Sequence, residues 1–187
     1  MSVKTILKYG TPSLREKSKE VYKVSSKIKT LIQDLFDTMY LNNGVGLAAP
    51  QIGVNVRVFV VDVSTGDNPL DPIEFINPKI IKKSGAVISQ EGCLSFPEAY
   101  TKVKRYKNIM VKALNRHGKP FVLEAKDGTL LARCIQHEND HLNGILFIDH
   151  SINRFETDEI LKKYSLPPIE PAKLLDEPEL DEALNGG

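Results

Sequence analysis

Gln136-His137-Glu138-Asn139-Asp140-His141-Leu142 is the stretch that decides how this chain is read. Two histidines stand four residues apart with a glutamate directly after the first. On an α-helix four residues advance ~400°, so His137 and His141 share one face a turn apart. Two imidazoles so placed can hold one metal ion. Glu138 projects ~100° round the helix, placed to handle protons of a water at that ion and not to bind it. Leu130, Leu131, Ala132, Cys134, Ile135 and Leu142 make the same helix apolar on most sides, which predicts a buried helix starting after Gly128-Thr129 and ending at Asn143-Gly144. Buried polar groups are costly unless paired or metal-bound, so Gln136, His137, Glu138 and His141 need partners.

The rest of the chain supplies ordinary elements around that helix. Ile28, Leu31, Ile32, Leu35, Phe36 and Met39 form a helical stripe, with Ser25 or Ser26 as its cap and Asn42-Asn43-Gly44 as its stop. This stripe reads as core. Arg57 to Val63 reads as a buried strand. Ile73 to Ile81, with Pro78 inside, reads as an edge or bent strand. Tyr100 to Leu114 alternates in part, Asn115 to Lys119 reads as a hairpin turn with His117 at the surface, and Phe121 to Ala125 returns. Asn153 to Tyr164 predicts a second amphipathic helix through Phe155, Ile160, Leu161 and Tyr164, ended by Pro167-Pro168. The expectation is about three helices and five to seven strands, without βαβ alternation.

Composition bounds the function. The chain has 187 residues, 41% of them hydrophobic and 26% charged, with a net charge of +1. That is one domain's worth of chain with a real core, and no broad charge that favours nucleic acid or an anionic membrane. No apolar run approaches a membrane span, and Met1 to Gly10 lacks the apolar centre of a signal peptide. The expected setting is cytoplasmic. Cys93 and Cys134 are the two cysteines and read as thiols. Lys4 to Lys29 is rich in cations, whereas the chain from Glu156 onward carries nine acidic residues against Lys162, Lys163 and Lys173. Both runs read as solvated surface. Residues 1–166 are expected to form one catalytic domain, with 167–187 as a flexible acidic tail.

Two histidines leave a metal short of ligands. Downstream, His150, Glu156 and Glu159 are candidates, but His150 lies past Gly144 and lacks the glycine spacing of the extended HExxH peptidases. Upstream, Glu91-Gly92-Cys93-Leu94-Ser95 sets Cys93 beside a glycine. A metal takes a thiolate readily, and Cys93, His137 and His141 would leave one position for water, as in catalytic sites. On spacing alone Cys93 is also readable as packing. Gly44-Val45-Gly46-Leu47-Ala48-Ala49-Pro50-Gln51 lets backbone approach a ligand closely, yet it lacks the pattern of a phosphate loop. Glu91 and Asp140 can each take an imidazole N–H, and Asp140 can instead pair elsewhere.

These three stretches, GxGxAAxQ, EGCLS and HExDH, occur in this order in the peptide deformylases, and the chain resembles that family from Lys4 to about Ile148. The resemblance implies an α+β fold, with antiparallel sheets around the central buried helix that carries HExxH and a C-terminal helix. It implies that Cys93, His137 and His141 bind one divalent metal, natively Fe2+, with Zn2+, Ni2+ or Co2+ able to substitute. It implies Glu138 as general acid/base, with the Gln51 amide and the Leu94 backbone N–H stabilising the oxyanion. Gly46 would meet an extended formylmethionyl peptide, and Val45, Leu130 and Cys134 would line the methionine pocket. The implied partners are N-formylmethionyl nascent chains at the ribosome, with no direct nucleic-acid or membrane contact and a monomer favoured. Tyr100 stands where many bacterial relatives carry arginine, which bears on peptide preference. A general HExxH peptidase and a structural metal module are the competing classes. Intact Glu138 and Gln51 speak against the latter.

Overall fold

The computed structural model describes residues 2–64 and 70–169. It holds three α-helices, α1 (Ser26–Leu41), α2 (Leu130–His141) and α3 (Arg154–Lys163), and five strands, β1 (Gly46–Ala48), β2 (Val58–Val61), β3 (Ile73–Cys93), β4 (Phe96–Leu114) and β5 (Pro120–Ala125). The strands form one antiparallel sheet in the order β1-β2-β3-β4-β5. The expected α+β class and antiparallel pairing hold, with a single continuous sheet in place of several.

The apolar stripe of α1 buries Leu31, Ile32, Leu35, Phe36 and Met39 against Leu47, Ala49, Val58, Val60 and Ile76. Ser25 is its N-cap but makes no side-chain cap bond. The other face of the sheet packs on α2 through Phe59, Val61, Phe75, Ile109, Val111, Ala132, Cys134 and Ile135. Phe59 and Phe75 are cross-strand partners, stacked with ring centroids 4.6 Å apart. The sheet therefore has helices on both faces, and α2 is the buried one, as its all-round apolar pattern requires.

Two readings change. Ile73 to Ile81 is no edge strand but the start of β3, which pairs on both sides there and continues to Cys93. Its Pro78 is accommodated where the ladder shifts register between Ile76 and Lys79. Asn77, beside it, adopts φ 50° and ties its side chain to the backbone of Val21 at 2.8 Å on both sides. Phe155 does not join the core of α3; it is 77% exposed, while Leu161 is buried. The acidic run from Glu170 to Gly187 lies outside the described residues.

Candidate metal centre and active site

Helix α2 begins at Thr129, whose hydroxyl accepts the Ala132 N–H at 3.4 Å. Its buried glutamine fixes the helix to the sheet. Gln136 Oε1 accepts the Tyr106 N–H at 2.9 Å, and Nε2 donates to the Tyr106 carbonyl at 2.9 Å. With one flank pinned to β4, the helix presents His137, Glu138 and His141 inward, all buried.

Cys93 ends β3, where the chain reverses into β4 through Cys93 and Phe96. That reversal brings Cys93 Sγ to 3.3 Å from His141 Nε2. Ligand atoms of Cys93, His137 and His141 all lie within 4.8 Å of one another, the one such group of three among the described residues. These donors suit a borderline divalent ion. Beside them Glu138 Oε2 is buried without a hydrogen-bond partner among the described residues, as expected of an oxygen facing a bound water or ligand. The residues present thus fit a three-ligand metal site with an open position.

Electrostatics follow from burial and from one buried cation. Burial pushes the Glu91 carboxyl up, but Arg105 and His137 outweigh it and hold it far below the usual carboxylate range. As a carboxylate, Glu91 accepts the Nδ1–H of His137 at 3.1 Å, which leaves Nε2 for the metal. Burial opposes charge on His137, yet its bonds to Cys93 and Glu91 push its pKa well above the ordinary value. A metal ion held by Cys93 and His137 would take the place of the proton that His137 shares toward Cys93. Burial and the charge of His137 push His141 well below, so its ring is neutral and ready to ligate. Burial also pushes Glu138 up to about 7 against the pull of His137.

Gln51 sits in the 3-10 turn Ala49–Ile52 after β1. Its Oε1 accepts the Ala48 N–H at 2.9 Å, which turns Nε2 toward Cys93 Sγ at 3.4 Å and Ser95 Oγ at 3.2 Å. Gly46 lies in β1 where a Cβ would stand 2.5 Å from Glu138 Oε1 and 2.6 Å from Cys134 Sγ. No larger residue fits there without displacing them. Val45, Gly46, Gln51, Leu94, Leu130 and Cys134 line a cavity of about 460 Å³ together with Cys93, His137 and Glu138. Every residue that the family resemblance implies at the site thus lines this cavity except His141, whose Nε2 lies 3.3 Å from Cys93 Sγ. Tyr100 also lines the cavity, its ring laid over Gly92, with which it pairs across the strands.

Asp140 does not touch a histidine ligand. It pairs with Arg105 and with His150, so His150 is no metal ligand here. Arg105 was missed in the sequence. Its signal was register: Val103, Arg105 and Ile109 share the inward parity of β4, whereas Lys102 and Lys104 face out. A charged residue at an inward position needs partners, and Arg105 has Glu91 and Asp140. No described helix is long and apolar enough to cross a membrane.

The chain is similar to known proteins over most of its length. Residues 3–157 match the family model described as polypeptide deformylase. Peptide deformylase 1 of Clostridium acetobutylicum is 48% identical over 149 residues, covering 80% of this chain and 95% of that protein. The peptide deformylase of Synechococcus elongatus, solved in complex with actinonin, superposes with a TM-score of 0.82 at 38% identity, covering 92% of this chain and 91% of that one. The Met-Ala-Ser-bound class I type b peptide deformylase of Acinetobacter baumannii gives a TM-score of 0.74 at 32% identity, covering 80% and 98%. The chain belongs to the polypeptide deformylase family, metal-dependent hydrolases that remove the N-terminal formyl group from nascent chains.

Proposed function

We propose that this chain hydrolyses the formyl amide of N-formylmethionyl peptides at a centre held by Cys93, His137 and His141, with ferrous iron as the native ion. The observation that supports the reading most is the convergence of these three ligands, the unpartnered Glu138 Oε2 and the fixed Gln51 amide on one cavity. When bound, the metal supplies a Lewis acid that makes water a nucleophile near neutral pH.

The chain's own residues do the rest. Glu138 takes the proton from the attacking water and delivers it to the leaving methionyl amine. A carboxyl pushed up to about 7 by burial suits both halves of that transfer. The Gln51 Nε2 amide, locked by the Ala48 bond, and the Leu94 backbone N–H donate to the oxyanion that forms on the formyl oxygen. Gly46 in β1 offers strand backbone to an extended peptide, as the Met-Ala-Ser complex of the Acinetobacter baumannii relative encourages. Val45, Leu130 and Cys134 receive the methionine side chain. Burial, with Glu138 and Glu91 nearby, pushes the Cys134 thiol well up, so it serves as an apolar wall and not a nucleophile.

A single catalytic domain carries this activity, acting as a cytoplasmic monomer on nascent chains as they leave the ribosome. The test is formate release by protein prepared without oxygen and loaded with Fe2+ or Ni2+. Formyl-Met-Ala-Ser should be turned over, and the acetylated and free-amine peptides should remain intact. No formate from the ferrous protein, or cleavage of internal peptide bonds in place of deformylation, would rule the reading out.

A further inference from the structure

His150 closes the 3-10 turn Phe147–His150, and its side chain is only 16% exposed. Its Nε2–H donates to Asp140 Oδ2 at 2.9 Å, since a carboxylate can only accept. The same oxygen accepts from Arg105 Nη1. Arg105 turns its other edge to Glu91, Nε to Oε1 at 3.0 Å and Nη2 to Oε2 at 2.9 Å. Glu91 Oε2 then accepts from His137 Nδ1 at 3.1 Å. Asp140 lies three residues after His137 on α2, so these bonds close a ring: helix, Asp140, Arg105, Glu91, His137, and helix again. The ring leaves the His137 imidazole little freedom to rotate. Its weak edge is Asp140, the partner of Arg105 with 15% of its side chain open to solvent. His150 covers that edge and gives the Asp140 carboxylate a second fixed donor.

We propose that His150 is a positioning residue for the metal centre. By holding Asp140 it holds the Arg105 fork, and through Glu91 it fixes the direction in which His137 Nε2 meets the ion. The inference rests on Cys93, His137 and His141 being the metal ligands. A role confined to anchoring the turn would change stability and leave metal retention alone.

The experiment compares the parent chain with His150→Ala and His150→Gln, each loaded with Co2+ and then exposed to excess chelator, alongside thermal unfolding of each metal-free protein. Outer partners of metal ligands are worth about 10- to 100-fold in affinity, so His150→Ala, three links beyond Glu91, should lose Co2+ about 5- to 10-fold faster than the parent. Glutamine keeps an N–H donor, and His150→Gln should stay within about twofold of the parent on the same scale. Parent-like retention by His150→Ala overturns the proposal, as does a glutamine variant that loses Co2+ as fast as the alanine one. Should His150→Ala not fold, Asp140→Asn tests the same link, with faster Co2+ loss expected and parent-like retention overturning the proposal. A parent chain that takes up no Co2+ overturns the ligand assignment and this inference together; a parent that binds Co2+ beside an unaffected His150→Ala overturns this inference alone.

Discussion

Gly46 and Glu138 approach so closely that a Cβ on the glycine would stand 2.5 Å from the glutamate Oε1. The contact fixes where the carboxyl sits, between β1 and the metal ligands. Gly46→Ala must push Glu138 or Cys134 aside. Misplacing a reacting group by about 1 Å costs on the order of 100-fold, so kcat/KM for formyl-Met-Ala-Ser should fall by about that factor. Metal content should not change, because the nearest atoms that a Cβ would meet belong to Glu138 and Cys134 and to none of Cys93, His137 and His141. Formate release and elemental analysis on the same sample check both halves, and a near-parental rate would contradict the placement of Glu138.

Removing Glu138 separates proton transfer from metal binding. Glu138→Gln keeps the size of the side chain but cannot carry the proton. General acid–base catalysis contributes about 10²- to 10⁴-fold, and a loss of kcat in that range with full metal occupancy is expected. A variant that kept its rate would move the proton-carrying role to another group.

Arg105 is the residue on which most buried charge depends. It is 2% exposed and pairs with Glu91 and Asp140 at once. Breaking a buried ion pair by removing one partner costs about 3–5 kcal/mol, because the charge left behind stays out of water. Arg105→Met should cost the metal-free protein about that much in urea unfolding. Arg105→Lys should rescue only part of it, since one ammonium cannot reproduce the fork onto Glu91 and the bond to Asp140. A loss below about 1 kcal/mol for Arg105→Met would show the network to be replaceable.

The sequence displays what local periodicity controls. The α1 stripe and the HExxH helix are legible because the buried face repeats every three or four residues within one segment. The β3–β4 arm between Lys82 and Ala99 is not. From Gly85 to Cys93 its residues are half-buried or exposed without a clean alternation. The arm is held by its backbone ladder, from Ser84↔Asn108 to Gly92↔Tyr100, which leaves little hydrophobic pattern to read. Pro78 suggests an edge, yet a register shift lets it sit within a paired strand. At the site, His137 and His141 announce themselves by spacing. Cys93 joins them only through the reversal between two strands, a long-range contact that spacing does not encode. Arg105 and His150 are harder still, since each matters through the carboxylates it holds.

Asp62 contributes to the acid limb of stability. It is 4% exposed at the end of β2 and accepts from Tyr40 Oη at 2.6 Å, from the Ser64 N–H at 3.0 Å and from the Ser64 hydroxyl. Burial pushes its carboxyl up, but the bonds from Ser64 and Tyr40 win and hold it below the usual range. A folded pKa below the unfolded value of about 3.9 means that the unfolded chain binds more protons as pH falls. The stabilisation is therefore complete above that value and lost as pH drops through the folded pKa. With metal-free protein, to keep ligand protonation common to both, the stability gap between parent and Asp62→Asn should be constant above about pH 5 and narrow below about pH 4. A gap that does not change with pH would mean that the bonds do not depend on the charge of Asp62.

Cys93→Ser is the sharpest test of the ligand set, because it changes one atom. Serine keeps the size and the turn into β4 but offers a hard oxygen where a soft thiolate stood. It also changes the acceptor that Gln51 Nε2 meets at 3.4 Å. A direct ligand must matter more than an outer partner, whose loss costs about 10- to 100-fold in affinity, so Co2+ or Zn2+ retention should fall by more than about 100-fold. The Co2+ protein should lose its thiolate charge-transfer absorption at the same time. Fold stability without metal should change little, since Cys93 is only partly buried. If Cys93→Ser retained the ion as the parent does and kept the same Co2+ spectrum, the thiolate would not be a ligand, and His137 and His141 would need a third partner that the described residues do not supply.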